Sequence, residues 1–322
     1  MQLKKYIIIL WLMVLVLTAG CAKTETAGGQ KTIRIAEQYG VAYAPVQIMK
    51  AQGLLEKNCP GIVISWEQMN NTAAIREAMV ADRLDAGFMA IPPFLIGWDN
   101  GMDWKIATGL SSVPTGLVTK TSVNSLAELG EKDRIAVPQP GSVQHILLAM
   151  ACDRDFGNPQ KLDNQLVTLS HPDGMNALLS GGDVTAHFTA TPYLEKELAT
   201  PGFHQILSGN EAFGGEFSFI VGVTTKKLHD QNPEVYAAFN QSVGEAITFI
   251  NDHPQEAAGI LSEAYDLPEA EVLAYLTAAD TEYSQTVKGL QTFSDFMLKT
   301  GYLKKSLENP GTIIWEQTDY ED

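Results

Sequence analysis

The sequence predicts an α/β protein of two lobes, each a mostly parallel sheet flanked by helices, with two hinge crossovers between them. Three observations lead there. Short β-branched runs alternate with longer amphipathic runs, the pattern of strands laid parallel through intervening helices. The roughly 290 residues beyond position 31 are enough for two lobes of ordinary size. The pattern also restarts once, after the polar turn Ser111-Ser112-Val113-Pro114-Thr115, and returns once, after the Gly- and Asn-containing stretch Gly209 to Gly215.

The chain opens with Lys4 and Lys5, an apolar run from Ile7 to Leu17, and the small residues Thr18, Ala19 and Gly20 before Cys21. That order is an export signal. Its apolar run of about eleven residues is shorter than the roughly 20 needed to span a bilayer as a permanent helix, so removal after export is expected. Leu17-Thr18-Ala19-Gly20-Cys21 resembles a bacterial lipobox, with Thr18 where Leu is commonest. Residues 1–20 then form a lipoprotein signal peptide and Cys21 carries the lipid. Residues 21–31, small and polar, suit a flexible tether, and folding is expected to begin near Thr32.

In the first lobe, Thr32 to Glu37 reads as a strand, Ala44 to Glu56 as a helix, Ile62 to Met69 as a strand, Thr72 to Leu84 as a helix and Ala86 to Ala90 as a strand. Pro92 and Pro93 open the next helix, since proline's missing N–H has no partner in a first turn anyway. Lys105 to Leu110 and Gly116 to Thr119 are strands on either side of the first crossover. The second lobe follows with helix Leu126 to Leu129, strand Arg134 to Val137, helix Val143 to Phe156, strand Leu166 to Leu169 and helix Gly174 to Leu179. Strand Val184 to Phe188, helix Pro192 to Leu198 and strand His204 to Leu207 complete it. Phe217 to Thr224 returns as a strand to the first lobe, and the chain is helical from Pro233, with Val235, Phe239, Val243, Ala246, Ile247 and Ile250 on one face. The lobes are therefore expected at 32–112 plus 216–322, and at 113–215.

Composition narrows the function. A hydrophobic fraction of 45% excludes a disordered chain. Twenty-two Lys and Arg against 38 Asp and Glu give a net charge of −16, or −18 once Lys4 and Lys5 are lost with the signal. That field repels nucleic acid and anionic lipid heads, so neither is an expected partner. Cys59, in a Pro-Gly turn, and Cys152, in a helix, are expected in different lobes, and no disulfide is predicted between them.

Ala42-Tyr43-Ala44-Pro45, Ala86-Gly87-Phe88-Met89-Ala90-Ile91-Pro92-Pro93, Ile135-Ala136-Val137-Pro138, Thr191-Pro192-Tyr193, Asn232-Pro233-Glu234-Val235-Tyr236 and Asn251-Asp252-His253-Pro254 occur in a familiar order. From about Ile33 to the end, the chain resembles the nitrate, sulfonate and taurine type of ABC-importer solute-binding proteins. The resemblance implies a periplasmic-binding-protein-like (type II) fold closing on a small-molecule ligand. It also implies an ABC permease with its ATPase as partners; a monomer without a cofactor is expected, attached to the membrane only through the lipid on Cys21.

In open α/β sheets a ligand lies beyond the carboxyl ends of the strands, where helix N-termini converge. This picks out the loops Gln38 to Tyr43, Asn70 to Thr72, Pro92-Pro93, Gly141 to His145 and His171 to Asp173, with Thr189 to Tyr193 and Glu216-Phe217 nearby. The candidate ligand-binding residues are Tyr39, Tyr43, Asn71, Thr72, Pro92, Pro93, Ser111, Gly141, Ser142, Gln144, His145, His171, Thr191 and Glu216. Gly141-Ser142 heads a helix whose free N–H groups attract a small anion. Ser142, Asn71 and Thr72 equally serve as helix caps, Tyr39 and Tyr43 equally pack a helix on its sheet, and His145 equally forms a hydrogen-bonded structural group. The five arginines, Arg34, Arg76, Arg83, Arg134 and Arg154, all fall within strands or helices, so no bidentate clamp is expected. A neutral or singly charged organic ligand follows, with a sulfonate favoured.

Catalytic and metal motifs are absent from the sequence. The six histidines form no His-x-x-x-His pair, which gives no support for a transition-metal site. Leu179-Ser180-Gly181-Gly182 stands without a phosphate-binding G-x-x-x-x-G-K-[ST] loop, and no G-x-S-x-G elbow is present. The expectation is a binding protein rather than an enzyme. Two alternatives remain open at this point: a ligand-loaded sensor lipoprotein, and a pyrimidine synthase of the thiamine pathway, whose cysteine-rich iron motif this chain lacks.

Overall fold

The computed structural model describes residues 30–321 of the 322; the proposed signal, lipidation site and most of the tether lie outside the described residues. Its first sheet is built from β1 (Thr32–Glu37), β2 (Val63–Gln68), β3 (Ala86–Met89) and β4 (Trp104–Ser111). The helices between them are α1 (Ala44–Gln52), α2 (Leu54–Asn58), α3 (Thr72–Val80) and α4 (Ile91–Asp99). The second sheet takes β5 (Thr115–Lys120), β6 (Ile135–Val137), β7 (Leu166–Thr168), β8 (Ala186–Ala190) and β9 (Phe203–Ser208). Here α5 (Val143–Phe156), α6 (His171–Leu179), α7 (Tyr193–Leu198) and the short α8 (Gly209–Phe213) intervene. The chain returns through β10 (Ile220–Thr225) and continues as α9 (Lys226–Gln231), α10 (Pro233–Asp252), α11 (Pro254–Tyr265), α12 (Glu269–Leu276), β11 (Val287–Lys288), α13 (Leu290–Lys299) and β12 (Tyr320–Glu321).

The first sheet runs β2-β1-β3-β10-β4 and the second β7-β6-β8-β5-β9. In each, one strand opposes the other four: β10 is antiparallel to β3 and β4, and β5 to β8 and β9. These are the two strands that enter after a crossover. The sheets are thus mixed, and the expected parallel arrangement holds for β1, β2 and β3 and for β6, β7 and β8.

Local chemistry sets the element ends. Ser142 accepts the His145 N–H at the start of α5, and Gly157, at φ 64°, ends it; a hydroxyl cap and a left-handed glycine are the standard stops. The helix expected from Ala44 to Glu56 is cut in two because Gly53 turns left-handed at φ 59°. The helix expected to reach Leu84 stops at Val80, before the turn at Asp82 (φ 54°). That expected from Gly174 starts three residues earlier, at His171, capped by Ser170. Leu126–Glu128 makes only a 3-10 turn, and the tail after Pro233 is interrupted by β11 and β12 rather than helical throughout.

Val235, Phe239, Val243, Ala246, Ile247 and Ile250 are all buried, as their spacing predicts, where α10 packs on α1 and α2. Phe239 lies 5.6 Å from Phe88 of β3 between ring centres. The outer edge of β4 is covered: Gly109 donates to the Gln285 carbonyl and Ile106 to that of Ile313, leaving no free ladder there. Cys59 and Cys152 are both buried and unpaired. Among the described residues no helix is long and apolar enough to cross a membrane.

Candidate functional site

The loops at the carboxyl ends of β1, β2 and β3 face those of β6 and β7 across a narrow cleft with an internal volume of about 30 Å³. From the first sheet come Gln38, Tyr39, Tyr43, Asn70, Thr72, Ala90 and Pro93; Phe219 and Ile220 form part of the floor. Pro138, Gln139, Ser142, Val143, Gln144 and His171 come from the second. Two hydrogen bonds span the cleft: Ala73 N–H donates to Gln139 Oε1 at 2.8 Å and Val41 N–H to the Thr191 carbonyl at 3.3 Å.

The lining sets hydroxyl and amide side chains beside the apolar Ala90, Pro93, Pro138, Val143, Phe219 and Ile220, and carries no formal cation or carboxylate. Tyr39 Oη donates to Asn70 Oδ1 at 3.2 Å, and Gln38 Nε2 to Thr72 Oγ1 at 3.1 Å. Burial, with the nearby Glu37 carboxylate adding to it, pushes the Tyr43 phenol far above its ordinary range, so it stays a neutral hydroxyl. Burial, then the neighbouring His187, brings His171 down to about 3. Its ring is therefore neutral at pH 7 and ties Gln144 Nε2 (3.3 Å) to Thr189 Oγ1 (3.1 Å) while stacking on Tyr193.

Of the residues singled out from sequence, Tyr39, Tyr43, Thr72, Pro93, Ser142, Gln144 and His171 meet on this lining. Others stand behind it. Asn71 caps α3 through the Ala74 N–H at 3.0 Å, and Pro92 is buried in the first turn of α4. Gly141 and His145 bond to each other at 2.8 Å. Ser111 is buried at the end of β4, its hydroxyl without a partner. Thr191 Oγ1 donates to Glu195 at 2.7 Å, while its carbonyl accepts from Val41. Glu216 lies outside the cleft, in a separate groove with Phe217 and Glu282, 3.4 Å from Lys288 Nζ.

The candidate list leaves out Gln38, Asn70 and Val143, whose loops were singled out, and also Gln139, Pro138, Ala90, Phe219 and Ile220. Ala90 and Pro138 stand in the motifs that carry the family resemblance, and Gln139 had a signal in its place in the Gln139-Pro140-Gly141 turn between a strand and a capped helix. The arginines stay away from the cleft: Arg34 pairs with Asp85 at 2.7 Å and Arg154 with Asp155 at 2.7 Å.

At the start of α5, the N–H groups of Val143 and Gln144 have no acceptor within the helix, and they stand beside the Ser142 hydroxyl on the cleft wall. Such a helix end receives an anionic or carbonyl oxygen without a formal cation. Among the described residues no cluster of His, Cys, Asp and Glu is arranged to hold a metal ion.

Comparison with known proteins agrees with this fold. A putative aliphatic sulfonates-binding protein of Bacillus subtilis (strain 168) is 24% identical over 321 residues, spanning 95% of this chain and 93% of that protein. The alkanesulfonate-binding protein of Xanthomonas axonopodis pv. citri, solved bound to MOPS, superposes with a TM-score of 0.75 at 18% identity, over 90% of this chain and 99% of the other. The periplasmic nitrate-binding protein of Synechocystis PCC 6803 gives 0.72 at 15% identity, over 88% and 85%. The fold is that of periplasmic binding proteins. The NMT1-like family model matches residues 27–263, and the chain belongs to the NMT1-like family.

Proposed function

We propose that this chain is the extracytoplasmic solute-binding component of an ABC importer, capturing a small sulfonate or similar organic molecule between two lobes for delivery to a permease and its ATPase. The observation that carries the reading is the uncharged, hydroxyl- and amide-lined cleft where the strand ends of both sheets converge. The relatives named above bind sulfonates and nitrate, which supports an acidic oxygen group at the start of α5. The lobes are residues 32–112 plus 216–322, and 113–215, with the crossovers as hinges. Capture is reversible and non-covalent, and closure is stabilised by contacts that exist only in the closed form. The protein acts as a monomer, without enzymatic turnover, held to the membrane by a lipid on Cys21.

Thermal unfolding against a panel of MOPS, taurine, methanesulfonate, nitrate, carboxylates and pyrimidines tests the assignment. A ligand at about a thousand times its dissociation constant adds about 4 kcal/mol, an upward shift of very roughly 5 to 15 °C for a chain of this size. A midpoint unchanged by every compound would remove the sulfonate reading.

A further inference from the structure

His145 is 4% exposed and stands behind the cleft wall, in the first turn of α5. Gly141 N–H donates to its Nδ1 at 2.8 Å, so that nitrogen carries no proton and the ring's single proton sits on Nε2. Nε2 in turn donates to Asp163 Oδ1 at 3.0 Å. The Tyr302 ring meets the imidazole edge-on, 5.3 Å between centres and 87° between planes. Its hydroxyl is 3.4 Å from Nε2 and 3.5 Å from Asp163 Oδ2.

Tyr302 reaches this site from the other lobe. It follows α13, which packs on α4, and the adjoining Lys304 and Lys305 N–H groups both donate to Asp99 Oδ1, at 3.1 and 2.8 Å. Two more contacts join the same surfaces: Lys299 Nζ to Asp153 Oδ2 at 2.9 Å, and Gln160 Nε2 to the Thr300 carbonyl at 3.1 Å. The end of α13 therefore grips α5 and the turn beyond it. Gly141 is pressed against the opposite lobe as well, since at φ 79° a Cβ there would lie 2.6 Å from Ile96 Cδ1 of α4.

We infer that His145 is a positioning residue that couples the ligand loop Gly141 to Gln144 to an inter-lobe clamp made by Tyr302. The inference rests on the proposed ligand site. Holding the Gly141 N–H on Nδ1 fixes the turn that sets Ser142, Val143 and Gln144 on the cleft wall. The other nitrogen is held on Asp163 of its own lobe and meets Tyr302 only when the lobes are together. One ring thus joins loop order to closure, and a ligand bound at the loop favours the clamp by the same factor that the clamp favours the ligand.

The two nitrogens can be separated by substitution. In His145→Asn an amide oxygen replaces Nδ1 as acceptor but reaches neither Asp163 nor Tyr302; in His145→Gln the amide reaches Asp163 and leaves Gly141 unbonded; Tyr302→Phe removes only the clamping hydroxyl. Two readouts apply: hydrogen exchange of the Gly141 amide without ligand, and MOPS affinity by calorimetry. His145→Gln is expected to speed Gly141 exchange roughly tenfold and weaken MOPS by a similar factor, while His145→Asn keeps the exchange slow. His145→Asn and Tyr302→Phe should each weaken MOPS about three- to tenfold, and the double variant no more than either alone. Unchanged affinity in Tyr302→Phe, or effects that multiply in the double variant, would overturn the coupling. Failure of the unsubstituted protein to bind MOPS and the rest of the panel would instead overturn the ligand reading on which it rests, whatever the Gly141 exchange shows.

Discussion

His187 Nδ1 lies 2.5 Å from Glu197 Oε1, and both side chains are fully buried. His187 Nε2 and Glu197 Oε2 have no other partner. An ion pair here would leave charged atoms unsatisfied in a medium that solvates them poorly, so the neutral pair, a carboxylic acid against a neutral imidazole, is favoured. Burial raises the Glu197 carboxyl to about 9 and lowers His187 to about 3. The folded chain thus holds a carboxyl proton that the unfolded chain releases near its ordinary value of 4.5. Stability from Glu197 is complete below that value and is lost as pH rises toward 9. Urea midpoints at pH 5, 7 and 8.5 should fall for the unsubstituted protein relative to Glu197→Gln; parallel profiles would mean that Glu197 is ionised in the fold.

His171 has the opposite sign. Its folded value of about 3 lies below its ordinary 6.5, so the unfolded chain takes up a proton that the folded chain refuses. Its contribution to stability is full above pH 6.5 and is lost as pH falls toward 3. His171→Gln should flatten the acid limb of the stability profile, and an unchanged limb would show that His171 protonates freely in the folded protein.

Gln139 bridges the cleft from the turn before α5, where its carbonyl accepts the Ser142 N–H at 3.1 Å. Its Oε1 accepts the Ala73 N–H, so Gln139→Ala removes one cross-cleft hydrogen bond and leaves the amide to water. Affinity for a bound sulfonate should fall about two- to tenfold with the unfolding midpoint in the absence of ligand nearly unchanged. Titration calorimetry distinguishes this from a loss of fold.

Phe239 is fully buried against Phe88. Phe239→Ala should cost about 3 to 5 kcal/mol, read as a lower urea midpoint with an unaltered slope. A cost below about 1 kcal/mol, the range of a volume-conserving swap, would mean that α10 is not held by this face.

The fold was legible where local signals and packing agree. Val143–Phe156 matches its predicted span because Ser142 and Gly157 mark both ends, and the apolar face of α10 follows from spacing alone. Gly53 was available as a break within Ala44 to Glu56, but the periodic run across it read as one helix. The opposed directions of β5 and β10 were not legible, because strand direction depends on which side the chain enters a sheet after a crossover. Seven of the candidate residues meet on the cleft lining because strand carboxyl ends face it. Gln139 had only its place in a turn before a capped helix as a signal, since its cross-cleft partner is Ala73, 66 positions away in the chain. His145 was correctly placed at a helix start, but its ring turns back to Gly141 rather than into the cleft.

Cys21→Ser tests the anchor separately from the binding site. The variant should lose its lipid and leave the membrane fraction while keeping ligand affinity. Continued lipidation would contradict the assignment.

The most direct test of the central claim is titration calorimetry of MOPS and taurine with the unsubstituted protein and with Ser142→Trp. Ser142 stands on the cleft wall at the head of α5, and an indole there fills the space assigned to the ligand's acidic group. One-to-one binding to the unsubstituted protein, lost in a variant with nearly the same thermal midpoint, is the predicted result. Equal affinity for the two proteins would place the ligand somewhere other than this cleft.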